Sequence, residues 1–164
     1  MAGGAGHVLS PLRPREFFSR PWSGAGEFVP KLLPNRRSRR FRFRSECEFV
    51  SDEEWIVHDT TEFEDGESSL RTMRARLISL DRIETTADDT PGGTEVQLEE
   101  RGFSFRPYLL KVPVGRLRLG MRCHDRCWLD EAGVLHDEID IRFMGLPVGR
   151  ITMRLTVEDE APAA

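Results

Sequence analysis

Apolar and polar residues alternate along most of this chain with a period of two, the pattern that sends successive side chains to opposite faces of an extended strand. The clearest case is residues 40–49. Phe41, Phe43, Ser45, Cys47 and Phe49 share one face, and Arg40, Arg42, Arg44, Glu46 and Glu48 share the other. A longer alternation over 117–129 puts Leu117, Leu119, Met121, Cys123, Asp125, Cys127 and Leu129 opposite Arg116, Arg118, Arg122, His124, Arg126 and Trp128. The same parity groups Trp55, Val57, Asp59, Thr61 and Phe63 in one strand and Leu135, Asp137, Ile139, Ile141 and Phe143 in another. Further strands are predicted at 22–28, 70–80, 82–87, 94–101, 103–110 and 148–157.

Turn-forming residues separate these segments: Glu64-Asp65-Gly66, Pro91-Gly92-Gly93, Pro113-Val114-Gly115, Glu131-Ala132-Gly133 and Gly145-Leu146-Pro147. Short strands joined in order by short turns imply an all-β, antiparallel, up-and-down meander. Its single apolar face must either stack as a sandwich or close on itself, and closure removes exposed edges. A closed barrel of about eight to ten strands is therefore expected, with a sandwich as the alternative. Ser10 is a candidate N-cap for a short N-terminal helix within 10–18. Residues 1–9, rich in Gly and Ala, and residues 158–164 read as flexible ends around one barrel domain at 10–157.

Composition narrows the reading. At 164 residues with 38% hydrophobic positions the chain suits one core. Its net charge of −4 lacks the basic body of a general nucleic-acid binder. One segment, residues 36–44, packs six arginines into nine positions and points locally to a nucleic acid or an anionic membrane. Phe41 and Phe43 turn inward there, however, leaving no exposed stacking platform for bases. The arginines then read as a solvated outer face complemented by the acidic runs at 52–54 and 62–67. No nucleic-acid partner and no membrane insertion are expected. The chain shows no run of about 20 apolar residues and no signal-peptide pattern at its start, so the expected location is cytoplasmic; a homodimer is left open. Three cysteines suit a reducing compartment. Cys123 and Cys127 on one strand would lie about 13 Å apart, beyond the roughly 7 Å reach of a disulfide.

Candidate chemistry lies where charge interrupts an apolar face. Asp59, Asp125 and Asp137 each sit among inward-facing apolar residues, a costly position unless the carboxylate is paired or protonated. Arg74 and Arg76 share a parity with Leu70, Thr72, Ile78 and Leu80, which predicts that they project inward as partners. Arg150 and Arg154 are weaker candidates. One account is a polar patch that orients a carboxylate, enol or carbonyl group of a ligand held against Trp22, Phe28, Phe41, Phe43, Trp55, Phe63, Met121, Ile139 and Phe143. The plainer and weightier account is a buried network that fixes strand register. His58 and His124 fall on the outward parity. A zinc site from Cys123, His124 and Cys127 fails because His124 faces away from both thiols, so neither a metal nor a cofactor is expected. Phosphate-loop, nucleophile-elbow and HExxH patterns are absent from the sequence.

Several stretches resemble known families. Phe17-Phe18-Ser19-Arg20-Pro21-Trp22-Ser23-Gly24-Ala25-Gly26 is similar to the opening of lipocalin-like domains, in which a Gly and Trp pattern begins the first strand. Val112-Pro113-Val114, Asp125, Trp128-Leu129-Asp130-Glu131 and Gly145-Leu146-Pro147-Val148-Gly149-Arg150 resemble the bacterial family of unknown function DUF3833, over roughly residues 17–157. The resemblance implies a lipocalin-like, calycin-type barrel. His124-Asp125-Arg126-Cys127 stands where that family tends to carry DDWM, and only Asp125 matches; its lipoprotein signal has no counterpart here. Residues 22–30 also look like the first strand of nitrobindin-type haem barrels, which supply an axial histidine near the C-terminus, but 148–157 contains none. The expected function is binding of a small hydrophobic, lipid-like or polyketide-like molecule, its polar end fixed by Asp125 and an inward arginine. Alternatives are a barrel isomerase or cyclase acting on a hydrophobic natural-product intermediate and a filled barrel without a cavity.

Overall fold

The computed structural model describes residues 10–32, 37–114 and 116–158. The expected loose N-terminus, Arg36, Gly115 and residues 159–164 lie outside them. One helix, α1 (Pro14–Phe18), precedes eleven strands: β1 (Trp22–Pro30), β2 (Arg39–Phe49), β3 (Glu54–Phe63), β4 (Ser68–Ser79), β5 (Arg82–Ala87), β6 (Thr90–Glu99), β7 (Gly102–Phe105), β8 (Tyr108–Val114), β9 (Leu117–Leu129), β10 (Leu135–Phe143) and β11 (Leu146–Val157). They pair antiparallel in the order β10-β11-β1-β2-β3-β4-β5-β6-β7-β9, and a further pairing of β9 with β10 closes the ring. Ten strands thus form the barrel. The eleventh, β8, runs beside the first half of β9, with Tyr108 opposite Cys123 and Val114 opposite Leu117.

The alternation expected for β2, β3, β9 and β10 is observed, and three departures have local causes. First, the strand predicted at 103–110 is two strands. Pro107 has no N–H to give a ladder, and the chain bends at Arg106-Pro107. Ser104 pairs with Arg126 while Tyr108 pairs with Cys123, so β7–β8 spends one residue more than β9 across the bend. The extra residue flips the parity and turns Tyr108 inward while Leu109 is exposed. Second, Pro91-Gly92-Gly93 is not a turn. It lies inside β6, where Gly92 and Gly93 adopt φ of 79° and 66°, and the ladder shifts register opposite Thr85 and Ala87. Glycine tolerates this backbone without strain, and the reversal falls at Asp88-Asp89. Third, α1 begins at Pro14, with Arg13 rather than Ser10 at the N-cap position. Proline supplies a preset φ at a first-turn site whose N–H has no partner in any helix.

The inward parity predicted for β4 is also reversed. Asp59 pairs with Arg71, Val57 with Met73 and Trp55 with Ala75, so the odd positions face the interior. Leu70, Ile78 and Leu80 are 68%, 44% and 86% exposed. Arg74 and Arg76 lie outside the barrel, bound to Glu54 at 2.9 Å and Glu84 at 2.8 Å. Both parities of this strand carry apolar residues. The choice between them rests on Ala75, which leaves room for the indole of Trp55, itself 1% exposed, and on keeping two guanidinium groups in water.

One end of the barrel is packed shut. Phe17 of α1 stacks on Trp22 at 4.9 Å and meets Phe103 edge-on at 5.8 Å, while Phe18 stacks on Trp55 at 5.9 Å. Trp22 Nε1–H donates to the Phe17 carbonyl at 3.1 Å, and Leu12 N–H donates to Glu99 O at 2.8 Å. Leu98, Leu135 and Leu155 complete this core. At the opposite end, Phe28, Phe63, Met121 and Phe143 are only half-buried. Between the two ends, Gly26 gives the ring of Phe41 its place: a Cβ there would meet Phe41 at 2.5 Å and Met153 Cγ at 2.7 Å.

Candidate functional site

A belt of polar side chains crosses the interior between the packed end and the mouth. Ser45 of β2, Asp59 of β3 and Arg71 of β4 occupy one cross-strand row, so all three project to the same face. Cys123, Asp125 and Cys127 alternate along β9, and Asp137 of β10 lies directly opposite Cys127. Tyr108 reaches the belt because of the Arg106-Pro107 bend. Asp89 and Thr90 reach it because the chain reverses just before the Pro-Gly-Gly bulge.

Arg71 is fully engaged. Its Nε donates to Asp89 Oδ2 at 2.8 Å and Oδ1 at 3.1 Å, one Nη donates to Thr90 Oγ1 at 2.8 Å, and the other donates to Met73 Sδ at 2.9 Å. Burial works against its charge, and the Asp89 carboxylate more than offsets that, raising its pKa. Among the described residues no cation pairs directly with Asp59, Asp125 or Asp137, although the Arg71 charge acts on the first two. Tyr108 Oη–H donates to Asp125 Oδ2 at 3.2 Å, and a carboxylate oxygen of Asp137 lies within 4.8 Å of one of Asp125. Cys127 Sγ lies 3.9 Å from Asp125 Oδ1. Asp137 Oδ1 is buried with no hydrogen-bond partner among the described residues.

The electrostatics follow from removing these groups from water. Burial pushes the Asp125 carboxyl up to about 6. It pushes Asp137 well above the usual carboxylate range, with the Asp125 charge adding to the shift. Asp59 rises for the same reason, against the hydrogen bond from Ser45. Among the thiols, burial raises Cys123 to about 11 and Cys47 to about 12, and raises Cys127 well above its ordinary value. Tyr108 is likewise pushed up by burial and then by Asp125. Burial and the neighbouring Asp125 carboxylate together disfavour the ionised form of Asp137, because like charges repel in a site with little water.

Of the residues singled out in the sequence, Asp59, Asp125 and Asp137 converge on this belt. Trp22, Phe41 and Trp55 are buried in the core, Phe43 is half-buried beside it, and Met121 and Phe143 lie half-buried toward the mouth. Arg74, Arg76 and Arg150 are outside, the last bound to Asp140 at 2.9 Å. His58 Nδ1 sits 3.3 Å from Thr72 Oγ1 on the outer wall, His124 is exposed, and His136 stacks on Trp128 at 5.4 Å. Sequence reasoning missed Arg71, Asp89, Thr90 and Tyr108. The signals that could have found Tyr108, Asp89 and Thr90 are Pro107 and the Pro-Gly-Gly run, each an irregularity that resets parity, whereas Arg71 lies on the other parity of β4.

There are two concavities. One of about 430 Å³ is lined by Ala25, Trp128, His136 and Arg154 and also by Asp137 of the belt. The other, of about 340 Å³, flanks α1 against Leu12, Phe17, Leu129 and Val157. No helix among the described residues is long and apolar enough to cross a membrane.

The family model described as "Protein of unknown function (DUF3833)" matches residues 9–157. The chain belongs to this family. No curated protein matches the sequence. Among solved structures, Rv2717c from M. tuberculosis is similar, with 12% identity over 91% of this chain and 99% of that one, at a TM-score of 0.52. At that identity the likeness concerns the fold. Within this DUF3833 barrel the segments that resembled the family line up along β8, β9 and β11, with Asp125 at the belt. The histidines at 58, 124 and 136 belong to the outward parity of β3, β9 and β10, so none of the three offers an axial ligand to a haem in the interior.

Proposed function

We propose that the barrel binds a small, largely apolar molecule whose body enters at the mouth opposite α1 and whose polar end meets Tyr108, Asp125 and their neighbours. The observation that carries this reading is the polar belt itself. Burying Asp59, Asp125 and Asp137 costs stability, and they lie beneath the half-buried side chains of Phe63, Met121 and Phe143 rather than in the packed end. The chemistry of the belt also says which polar end fits. Arg71 is already held by Asp89 and Thr90, so the surplus is of acceptors. A hydroxyl, amide or amine that donates hydrogen bonds suits the belt better than a carboxylate.

Native mass spectrometry of freshly purified protein, beside a denatured and solvent-extracted sample, tests this directly. A stoichiometric molecule that disappears on extraction is the expected result. Competition against a fluorescent apolar ligand should then rank a long-chain alcohol or amine above the fatty acid of equal length, and Asp125→Asn should narrow that difference. An apo mass together with no binding of any of these compounds would leave a filled barrel as the correct description.

A further inference from the structure

We propose that Asp125, Cys127 and Asp137 form a site for one divalent transition-metal ion of the zinc type. A carboxylate oxygen from each aspartate and the Cys127 Sγ lie within 4.8 Å of one another in the barrel interior. Asp125 and Cys127 share a face of β9, two residues apart, and Asp137 is the cross-strand partner of Cys127 on β10, so three donors converge from rigid strand positions. The independent observation is Asp137 Oδ1, a buried acceptor left without a partner. An orphaned buried oxygen is expensive, and a cation supplies what it lacks.

Charge balance points the same way. Fully ionised, the three donors carry −3. Arg71 offsets them only in part, because its direct partner is Asp89. A bound dication leaves a net charge of −1, and the protons held by the acid pair and the thiol pass to solvent as it binds. The donor set selects the ion. Magnesium and calcium call for more oxygen ligands than these two carboxylates and do not favour a thiolate. Two oxygens and one sulfur suit tetrahedral zinc, with a fourth position left over. Ligand atoms in such a site stand about 3.5 Å apart, so only a modest inward movement of the side chains is needed. Tyr108, which donates to Asp125, is placed to orient one ligand from outside the coordination sphere. The alternation that turns His124 outward is what leaves carboxylates, rather than imidazole, beside the thiol.

The test uses the full chain, stripped with a chelator and dialysed against zinc or cobalt(II) alone. One zinc per chain is expected, together with a thiolate-to-cobalt charge-transfer band that is lost in Cys127→Ser and kept in Cys47→Ser and Cys123→Ser. Asp137→Asn should lower zinc affinity by about a hundredfold or more, and Tyr108→Phe by about tenfold. Asp137→Asn replaces a buried acid with a neutral group of the same shape, so it should fold, and its affinity decides the question if Cys127→Ser does not. No stoichiometric zinc on the wild-type chain, a cobalt band that survives Cys127→Ser, or unchanged zinc affinity in Asp137→Asn would overturn the proposal. The proposal shares Asp125 with the apolar-ligand reading, so that reading is scored separately, with organic molecules on the metal-free chain.

Discussion

Replacing Arg71 with methionine is the sharpest test of how the interior is wired. The substitution keeps the aliphatic stem and removes the charge, leaving Asp89 without the Nε–H that both its oxygens accept and Thr90 without a donor. Removing one partner of a fully buried ion pair costs about 3–5 kcal/mol, because the other charge stays behind. Here the Arg71 and Asp89 side chains are 30% and 26% exposed, so water recovers part of that and a loss of about 2–3 kcal/mol is expected. For a chain of this size that lowers Tm by roughly 4–12 °C. Urea denaturation of wild type, Arg71→Met, Asp89→Asn and the double variant gives the cycle. The double variant should recover at least about 1 kcal/mol relative to the sum of the singles. Arg74→Met, whose guanidinium is on the outer wall, should change stability by less than about 0.5 kcal/mol. An Arg71→Met loss no larger than that of Arg74→Met, or a strictly additive cycle, would refute the inward assignment of Arg71.

Gly26→Ala should cost about 1–3 kcal/mol, since its Cβ would meet the ring of Phe41 and the Met153 side chain; a neutral outcome in a denaturation curve would mean that both side chains have room to move away. Ser10→Ala should leave stability within about 0.5 kcal/mol of wild type, because Pro14 and not Ser10 starts α1; a loss near 1 kcal/mol would restore Ser10 as the cap. Asp59→Asn should stabilise the protein at pH 8 and not at pH 4. The folded-state pKa of Asp59 is raised by burial, so its protonated form contributes stability that is fully present below the ordinary carboxylate range and is lost as pH rises above it. Midpoints that differ equally at both pH values would count against a buried, proton-holding Asp59.

The residues legible in the sequence and those that were not divide along a physical line. Asp59, Asp125 and Asp137 were found because they sit in the regular stretches of β3, β9 and β10, where one face is apolar and strict alternation reports which way a side chain points. Their neighbours come from places where alternation breaks. Tyr108 faces inward only because Pro107 forces one extra residue into the ladder, and Asp89 and Thr90 arrive on the reversal that Gly92 and Gly93 make tolerable. β4 adds a second difficulty. Leu70, Ile78 and Leu80 on one parity compete with Met73, Ala75 and Leu77 on the other, and periodicity alone cannot weigh them, since the choice depends on what stands opposite in β3. The room that Ala75 leaves beside Trp55 is a fact about register, and register is a property of two strands together. A reading built on alternation therefore locates the buried charges and misassigns what compensates them. The compensating groups are supplied by the proline bend, the glycine bulge and the strand whose pattern was ambiguous, and a closed barrel concentrates such irregularities where its interior must hold something other than hydrocarbon.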